Sequence, residues 1–205
     1  MTSKGIGFEH YFAAKPKSKP KYGLIRTHLR GRLFEFVTAS GVFSKDHVDL
    51  GTRLLIESMV LPEEGNVLDI GCGYGAVGIV IAVCSPRLNV FLIDVNIRAV
   101  GLARRNAEIN NARNVVIRRG NLYEPVEGSV FDCVLSNPPV SAGLATVRAI
   151  IDGASVHMRK GALFQMVVKS KVGGERLCKM LDGAFGNVEV LARESGYRVL
   201  ISKKR

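Results

Sequence analysis

Two short stretches of this 205-residue chain bring together residue types that can do chemistry. The first is Asp69-Ile70-Gly71-Cys72-Gly73-Tyr74-Gly75, with Asp94 further along. Glycines let a chain turn sharply and carry its backbone close to a ligand, while a helix starting just after them points its N-terminus at the same spot. A carboxylate such as Asp94, at the end of the next strand, can accept both hydroxyls of a ribose. The second stretch is Asn137-Pro138-Pro139. Consecutive prolines lock their φ angles and hold the preceding backbone extended. That fixes the Asn137 side chain and the Pro138 carbonyl as two aligned acceptors. Such a pair can take both hydrogens of an exocyclic amino group, favour a pyramidal nitrogen and aim its lone pair at an electrophilic carbon.

These residues need a frame that delivers them to one place. Apolar runs at Asn66–Ile70, Leu88–Ile93, Val115–Arg118, Phe131–Leu135 and Ala162–Val168 read as buried strands. Between them, the spacing Ala76, Ile79, Val80, Val83 marks one face of a helix, and Asn96–Asn110, Thr146–His157 and Glu175–Leu181 are also helical. Strands alternating with helices imply βαβ units and a mostly parallel sheet. Val188–Ala192 and Tyr197–Ile201, with only Glu194-Ser195-Gly196 as a turn, close the chain as an antiparallel hairpin. The fold class expected is α/β, a Rossmann-like, doubly wound sheet of seven strands. A strand over Arg32–Thr38 and a helix over Val48–Val60 form a small extension before it, and residues 1–22 read as a loosely held arm. Domain limits of 1–32 for the basic arm and 33–205 for the α/β unit follow.

Two cofactors fit the glycine loop. Gly73-x-Gly75-x-x-Gly78 with Asp94 matches a dinucleotide fingerprint. Asp69, however, stands where a pyrophosphate would be repelled and a cationic sulfonium or amino group welcomed. That favours S-adenosylmethionine over a nicotinamide dinucleotide.

Charge adds a partner. Residues 1–32 carry a net +7 and residues 193–205 a net +4, while the span between them is neutral. Basic ends on a neutral body suit a polyanion, and His10, Tyr11, Phe12, Tyr22 and Phe34 interleave aromatic rings that can stack on bases. The four cysteines lie far apart without a C-x-x-C pair, which argues against a zinc site or a disulfide framework and for a reducing cytoplasm. No apolar run is long enough to span a membrane.

Taken together, Asp69-x-Gly71-x-Gly73-x-Gly75, Asp94 and Asn137-Pro138-Pro139 resemble class I methyltransferases that modify amino nitrogens. Gly41-Val42-Phe43-Ser44-Lys45-Asp46, with Val48-Asp49-x-Gly51-Thr52-x-Leu54-Leu55, is similar to the segment before the fold in small-subunit ribosomal RNA (guanine-N2)-methyltransferases of the methyltransferase small domain family. The resemblance implies that Gly71, Cys72 and Gly73 lie along the methionine moiety of S-adenosylmethionine. It places Asp94 at the ribose, Asn121 at the adenine amino group, and Phe43, Asp69, Gly75, Val95 and Leu122 around the same ligand. Asn137, counted with both the cofactor and the catalytic groups, would hold the target amine with Pro138 and Pro139. The implied partner is RNA, ribosomal or as an assembled subunit. A transfer RNA base or a protein glutamine amide is the alternative acceptor, and a non-catalytic RNA-binding module the alternative function. No strong general base is required, so His47 and His157 read as structural or exposed. Val140 replaces the aromatic residue that many relatives have after the prolines, which leaves base stacking to Tyr11, Phe12 or Tyr123. The second, degenerate domain of the bacterial members is absent, so the chain resembles the stand-alone archaeal form.

Overall fold

The computed structural model describes residues 14–16, 19–138, 143–170 and 174–205. Its centre is a seven-stranded sheet built from β3 (Gly65–Ile70), β4 (Leu88–Asp94), β5 (Val115–Arg119), β6 (Phe131–Ser136), β7 (Met158–Lys169), β8 (Glu189–Glu194) and β9 (Tyr197–Lys203). The spatial order is β5-β4-β3-β6-β7-β9-β8. The first five strands run parallel, while β9 is antiparallel to both β7 and β8. The chain goes outward from β3 through β4 to β5, then returns to the other side of β3 as β6. The order therefore reverses between β3 and β6, and in open α/β sheets ligands bind at the carboxyl ends of strands flanking such a switch.

The helices cover both faces, as a parallel sheet requires. Alternate residues of one strand feed different cores. Val67, Leu92 and Cys133 pack with Leu55, Ile79 and Phe36 on one face. Leu68, Ile93 and Val134 pack with Ile150, Leu177 and Leu181 on the other. The first face is covered by α1 (Leu50–Ser58), α2 (Ala76–Cys84) and α3 (Ile97–Ile109), the second by α4 (Leu144–His157) and α5 (Gly174–Phe185). Helix α2 is apolar on all sides because it packs against β4, α1 and α3 at once.

The elements read from the sequence are all present, with ends moved by a few residues, and the fold class is the one expected. The N-terminal extension differs. Residues 22–29, assigned in the sequence to the end of the basic arm, form strand β1 (Tyr22–Leu29), which pairs antiparallel with β2 (Arg32–Ala39) as a separate hairpin. Two asparagines one turn apart, Asn106 in α3 and its C-cap Asn110, hold that hairpin. Asn106 exchanges hydrogen bonds with both backbone groups of Val37 (2.7 and 2.9 Å), and Asn110 does the same for Glu35 (3.1 and 2.7 Å). Their amides satisfy backbone groups of β2 that β1 does not reach.

Gly78 in α2 sets the distance between helix and sheet. A Cβ there would lie 2.5 Å from Cγ of the fully buried Leu92. Gly78→Ala gains about 1 kcal/mol of helix propensity but overpacks this contact at a cost of about 1–3 kcal/mol. The expected outcome is a net loss of about 1 kcal/mol in urea unfolding; a more stable variant would show that the contact yields freely.

Candidate active site

The carboxyl ends of β3, β4 and β6 converge on a pocket of about 340 Å³, within the range of small-molecule sites. Its floor is the turn after β3. The amides of Gly71 and Cys72 donate to the Ile93 carbonyl at 2.9 and 3.1 Å, which ties the turn to β4. Gly71 and Gly73 have φ of 74° and 57°, the left-handed region, and a Cβ on either would meet nothing within 4 Å. Glycine is demanded here by backbone angle rather than by crowding, and bare backbone is what lines the pocket.

Two carboxyl groups close it. Asp94 ends β4, and its Oδ2 accepts the Gly73 N–H while Oδ1 accepts that of Asn96, both at 2.8 Å. Burial pushes its carboxyl up, against the lowering effect of the N–H groups of Asn96, Gly73 and Val95. Asp69 is almost fully buried on β3, with Oδ2 accepting the Gly78 N–H at 3.0 Å. Burial pushes it up to about 7; the Gly78 hydrogen bond works against this and the charge of Asp94 adds to it. Holding two carboxylates in one buried place is costly, and a ligand with positive charge relieves that cost. The donor set thus fits S-adenosylmethionine, which carries a sulfonium and an amino group beside a ribose.

The raised value of Asp69 has a consequence for the ligand-free protein. A carboxyl with a higher pKa folded than unfolded contributes stability that is complete below its unfolded value and lost as pH rises through its folded value. Asp69→Asn removes this slope. From about pH 4 to about pH 7 the native chain loses about 1.4 kcal/mol per pH unit relative to the variant, as read by urea unfolding at each pH. Parallel stability curves would mean that Asp69 is ionised throughout that range.

On the β6 side, Ser136 Oγ donates to the Ile70 carbonyl at 3.0 Å and locks the strand end to β3. Asn137 follows. Its Nδ2 donates to Thr52 Oγ1 at 2.8 Å and more weakly to Asp49 Oδ2 at 3.4 Å. Asp49 is the N-cap of α1, where Oδ2 accepts the Thr52 N–H at 3.1 Å, and its Oδ1 accepts the Tyr197 hydroxyl at 3.3 Å. The amide nitrogen of Asn137 is thereby turned toward α1, and Oδ1 is the acceptor it has to offer. Asn137, Pro138 and Thr52 line the same pocket as both aspartates.

Phe43, Asp69, Gly71, Cys72, Gly73, Asp94, Val95, Asn121, Leu122, Asn137 and Pro138 all meet in this pocket. Gly75 stands behind it as the N-cap of α2, its Cα packed near Ile79. Pro139 and Val140 lie outside the described residues, as do Tyr11 and Phe12. Phe43 is 36% exposed at the pocket wall rather than in the core. Tyr123 is not available for base stacking: it is 7% exposed, its ring stacks on His157 at 4.7 Å and its hydroxyl donates to the Ile150 carbonyl. His157 is structural through that stack and a 2.9 Å contact of Nδ1 with the Gly153 carbonyl, and His47 is exposed. Thr52, Tyr74, Thr146 and Ile150 also line the pocket and were not singled out as site residues by sequence. Thr52 had a signal: Asp49-x-x-Thr52 opens α1 as an N-cap pair.

Comparison with known proteins adds three findings. The family model "Methyltransferase small domain" matches residues 33–201. The chain is 38% identical over 198 residues to the Bacillus subtilis (strain 168) protein named "Uncharacterized protein YbxB", covering 96% of this chain and 98% of that one. The short form, read from sequence as archaeal, thus has a bacterial relative of matching length. It is 36% identical over 166 residues to ribosomal RNA small subunit methyltransferase C of Yersinia pestis (strain Pestoides F), covering 79% of this chain and 46% of that protein. Among solved structures, the T. thermophilus 16S rRNA N2 G1207 methyltransferase (RsmC), in complex with AdoMet and guanosine, superposes with a TM-score of 0.82 at 26% identity, over 93% of this chain and 52% of that one. The chain therefore spans about half the length of these ribosomal RNA methyltransferases.

Proposed function

Because the chain belongs to the methyltransferase small domain family, with S-adenosylmethionine as its cofactor, we propose that it methylates an exocyclic amino nitrogen, the N2 of a guanine in small-subunit ribosomal RNA. The observation that carries this reading is the orientation of Asn137, whose Nδ2 is held by Thr52 and whose Oδ1 is left as an acceptor beside the cofactor pocket. Its likeness to the RsmC enzymes supports the guanine.

When bound, S-adenosylmethionine supplies a methyl group on a positively charged sulfur. The chain's own residues do the rest. Asp94 and the glycine turn hold the ligand, and Asp69 adds negative charge beneath it. Asn137 Oδ1 and the Pro138 carbonyl accept the two hydrogens of the guanine amine, withdrawing its lone pair from conjugation with the ring and aiming it at the methyl carbon. These acceptors also stabilise the positive charge that grows on nitrogen. Once methylated, the nitrogen releases one proton to water, so no side chain has to act as a strong base. A guanine inside a duplex must first be turned out of the stack, at a cost of a few kcal/mol.

The test is transfer of labelled methyl to protein-free small-subunit ribosomal RNA and to assembled subunits, with the product identified by nucleoside mass spectrometry. N2-methylguanosine at one position supports the reading. Label in transfer RNA or in a protein glutamine would replace the acceptor and keep the chemistry. Cofactor binding with no label on any of these would leave an RNA-binding module.

A further inference from the structure

The rim of the cofactor pocket on its β5 side is unusually basic. Strand β5 is an edge of the sheet and ends in Arg118 and Arg119, which lie in register with Ile93 and Asp94 and are both exposed. The next two residues, Gly120 and Asn121, line the pocket. Each arginine is fixed by one hydrogen bond to backbone, Arg118 Nη1 to the Pro125 carbonyl at 2.6 Å and Arg119 Nε to that of Val95 at 3.2 Å. On neighbouring α3 and the loop leaving it, Arg104, Arg105 and Arg113 are exposed as well. Among the described residues none of these five is ion-paired, whereas Arg26, Lys45, Arg87, Arg148, Arg159 and Lys179 each have a carboxylate partner. The nearby segments carry Asp94, held by backbone N–H groups at the pocket wall, and Glu108, Glu124 and Glu127 in opposition, none of them ion-paired to an arginine among the described residues.

The arm reaches the same corner. The Ala14 carbonyl accepts the Ile97 N–H at the start of α3 (3.2 Å). The Lys19 and Lys21 carbonyls accept from Ser40 Oγ and Ser40 N–H (3.3 and 3.0 Å). The Ser40-Gly41 turn is bound in its turn to α3, by Arg98 to the Ser40 carbonyl and by Asn96 to the Gly41 carbonyl. Backbone bonds thus hold Lys15, Lys19 and Lys21, all exposed, beside the wall that carries Phe43 and Asp94.

We infer that Lys15, Lys19, Lys21, Arg118 and Arg119 form one track that grips the phosphates of an RNA strand and leads it across the pocket mouth. Like charges held together without ion-pair partners repel one another, and a polyanion that displaces its own condensed counterions is the partner that turns this cost into affinity. The inference rests on the reading of RNA as the substrate.

The test measures binding of fluorescently labelled, protein-free small-subunit ribosomal RNA across a salt series. Arg118→Ala with Arg119→Ala, and separately Lys15→Ala with Lys19→Ala and Lys21→Ala, should each weaken binding about tenfold at 0.15 M salt and lower the slope of log K against log salt by about one per contact removed. Retained S-adenosylmethionine binding shows that each variant is folded; the lysine set changes only exposed side chains and stands if the arginine pair does not fold. Arg176→Ala with Lys179→Ala, both exposed on α5, which packs on β9 near the opposite edge of the sheet, is the control and should leave the slope unchanged. Unchanged affinity in both track variants, or an equal loss in the control, overturns the track while leaving the substrate reading in place. A native protein that binds neither protein-free RNA nor assembled subunits overturns the substrate reading itself, and the track with it.

Discussion

Asn137→Ala should lower kcat for methyl transfer by about 10²–10³-fold, the loss typical of removing one pre-oriented group that stabilises developing charge. Affinity for S-adenosylmethionine, measured by calorimetry, should change by less than about threefold, because the interaction lost is made to the acceptor amine as it becomes positive and not to the cofactor. Thr52 makes the same argument testable at one remove. Its hydroxyl receives Asn137 Nδ2 at 2.8 Å, so Thr52→Val removes the group that keeps the amide nitrogen turned away from the pocket. A hydrogen bond of this kind contributes about 1 kcal/mol, so the fraction of correctly turned Asn137 and with it kcat should fall by up to about tenfold. Thr52→Ser keeps the hydroxyl and should restore the rate. A loss in Asn137→Ala that appears in cofactor affinity rather than in kcat would place this residue with the cofactor and leave the amine without its acceptor.

The contrast between Asn137 and Thr52 shows where the sequence is readable. Asn137 sits at a strand end before two prolines, a local pattern that carries its own geometry. Thr52 matters because of a partner 85 positions away, and nothing near it in the chain says which way its hydroxyl points. The glycine turn and Asp94 were legible for the same local reason as Asn137. The β1–β2 hairpin was only half legible. β2 buries several consecutive residues and shows an apolar run, whereas β1 buries only Ile25 and Leu29, too sparse for a period of two. With Arg26 inside it and Lys21 and Arg30 on either side, it then resembled a continuing arm. Tyr123 misled for a third reason. It was read as one of three rings that could stack on the target base, but Leu122 takes a left-handed φ of 48°, and the ring goes into the core against Gly153, where a Cβ would come within 2.3 Å of it. Composition cannot report a turn of that kind.

Asp94→Ala should weaken S-adenosylmethionine binding by about 10²-fold or more. Hydrogen bonds to a charged group contribute about 1.5–3 kcal/mol each, and the proposed ribose contacts number two. The structure gives this aspartate a second duty that raises the expected effect. Its two oxygens already accept the Gly73 and Asn96 N–H groups, so one carboxylate clamps the glycine turn to the start of α3 and shapes the pocket before any ligand arrives. Each oxygen keeps lone-pair capacity for a hydroxyl donor, since a carboxylate can accept about four hydrogen bonds. Asparagine is then a poor substitute: one of its ends would set an N–H₂ against a backbone N–H, donor against donor. Asp94→Asn should therefore lose affinity almost as fully as Asp94→Ala, and thermal melts should show a lower midpoint for both ligand-free variants. If Asp94→Ala folds and binds the cofactor with native affinity, Asp94 holds the turn and does not touch the ribose. If Asp94→Asn alone keeps most of the affinity, the carboxylate's charge is dispensable and one remaining acceptor is enough.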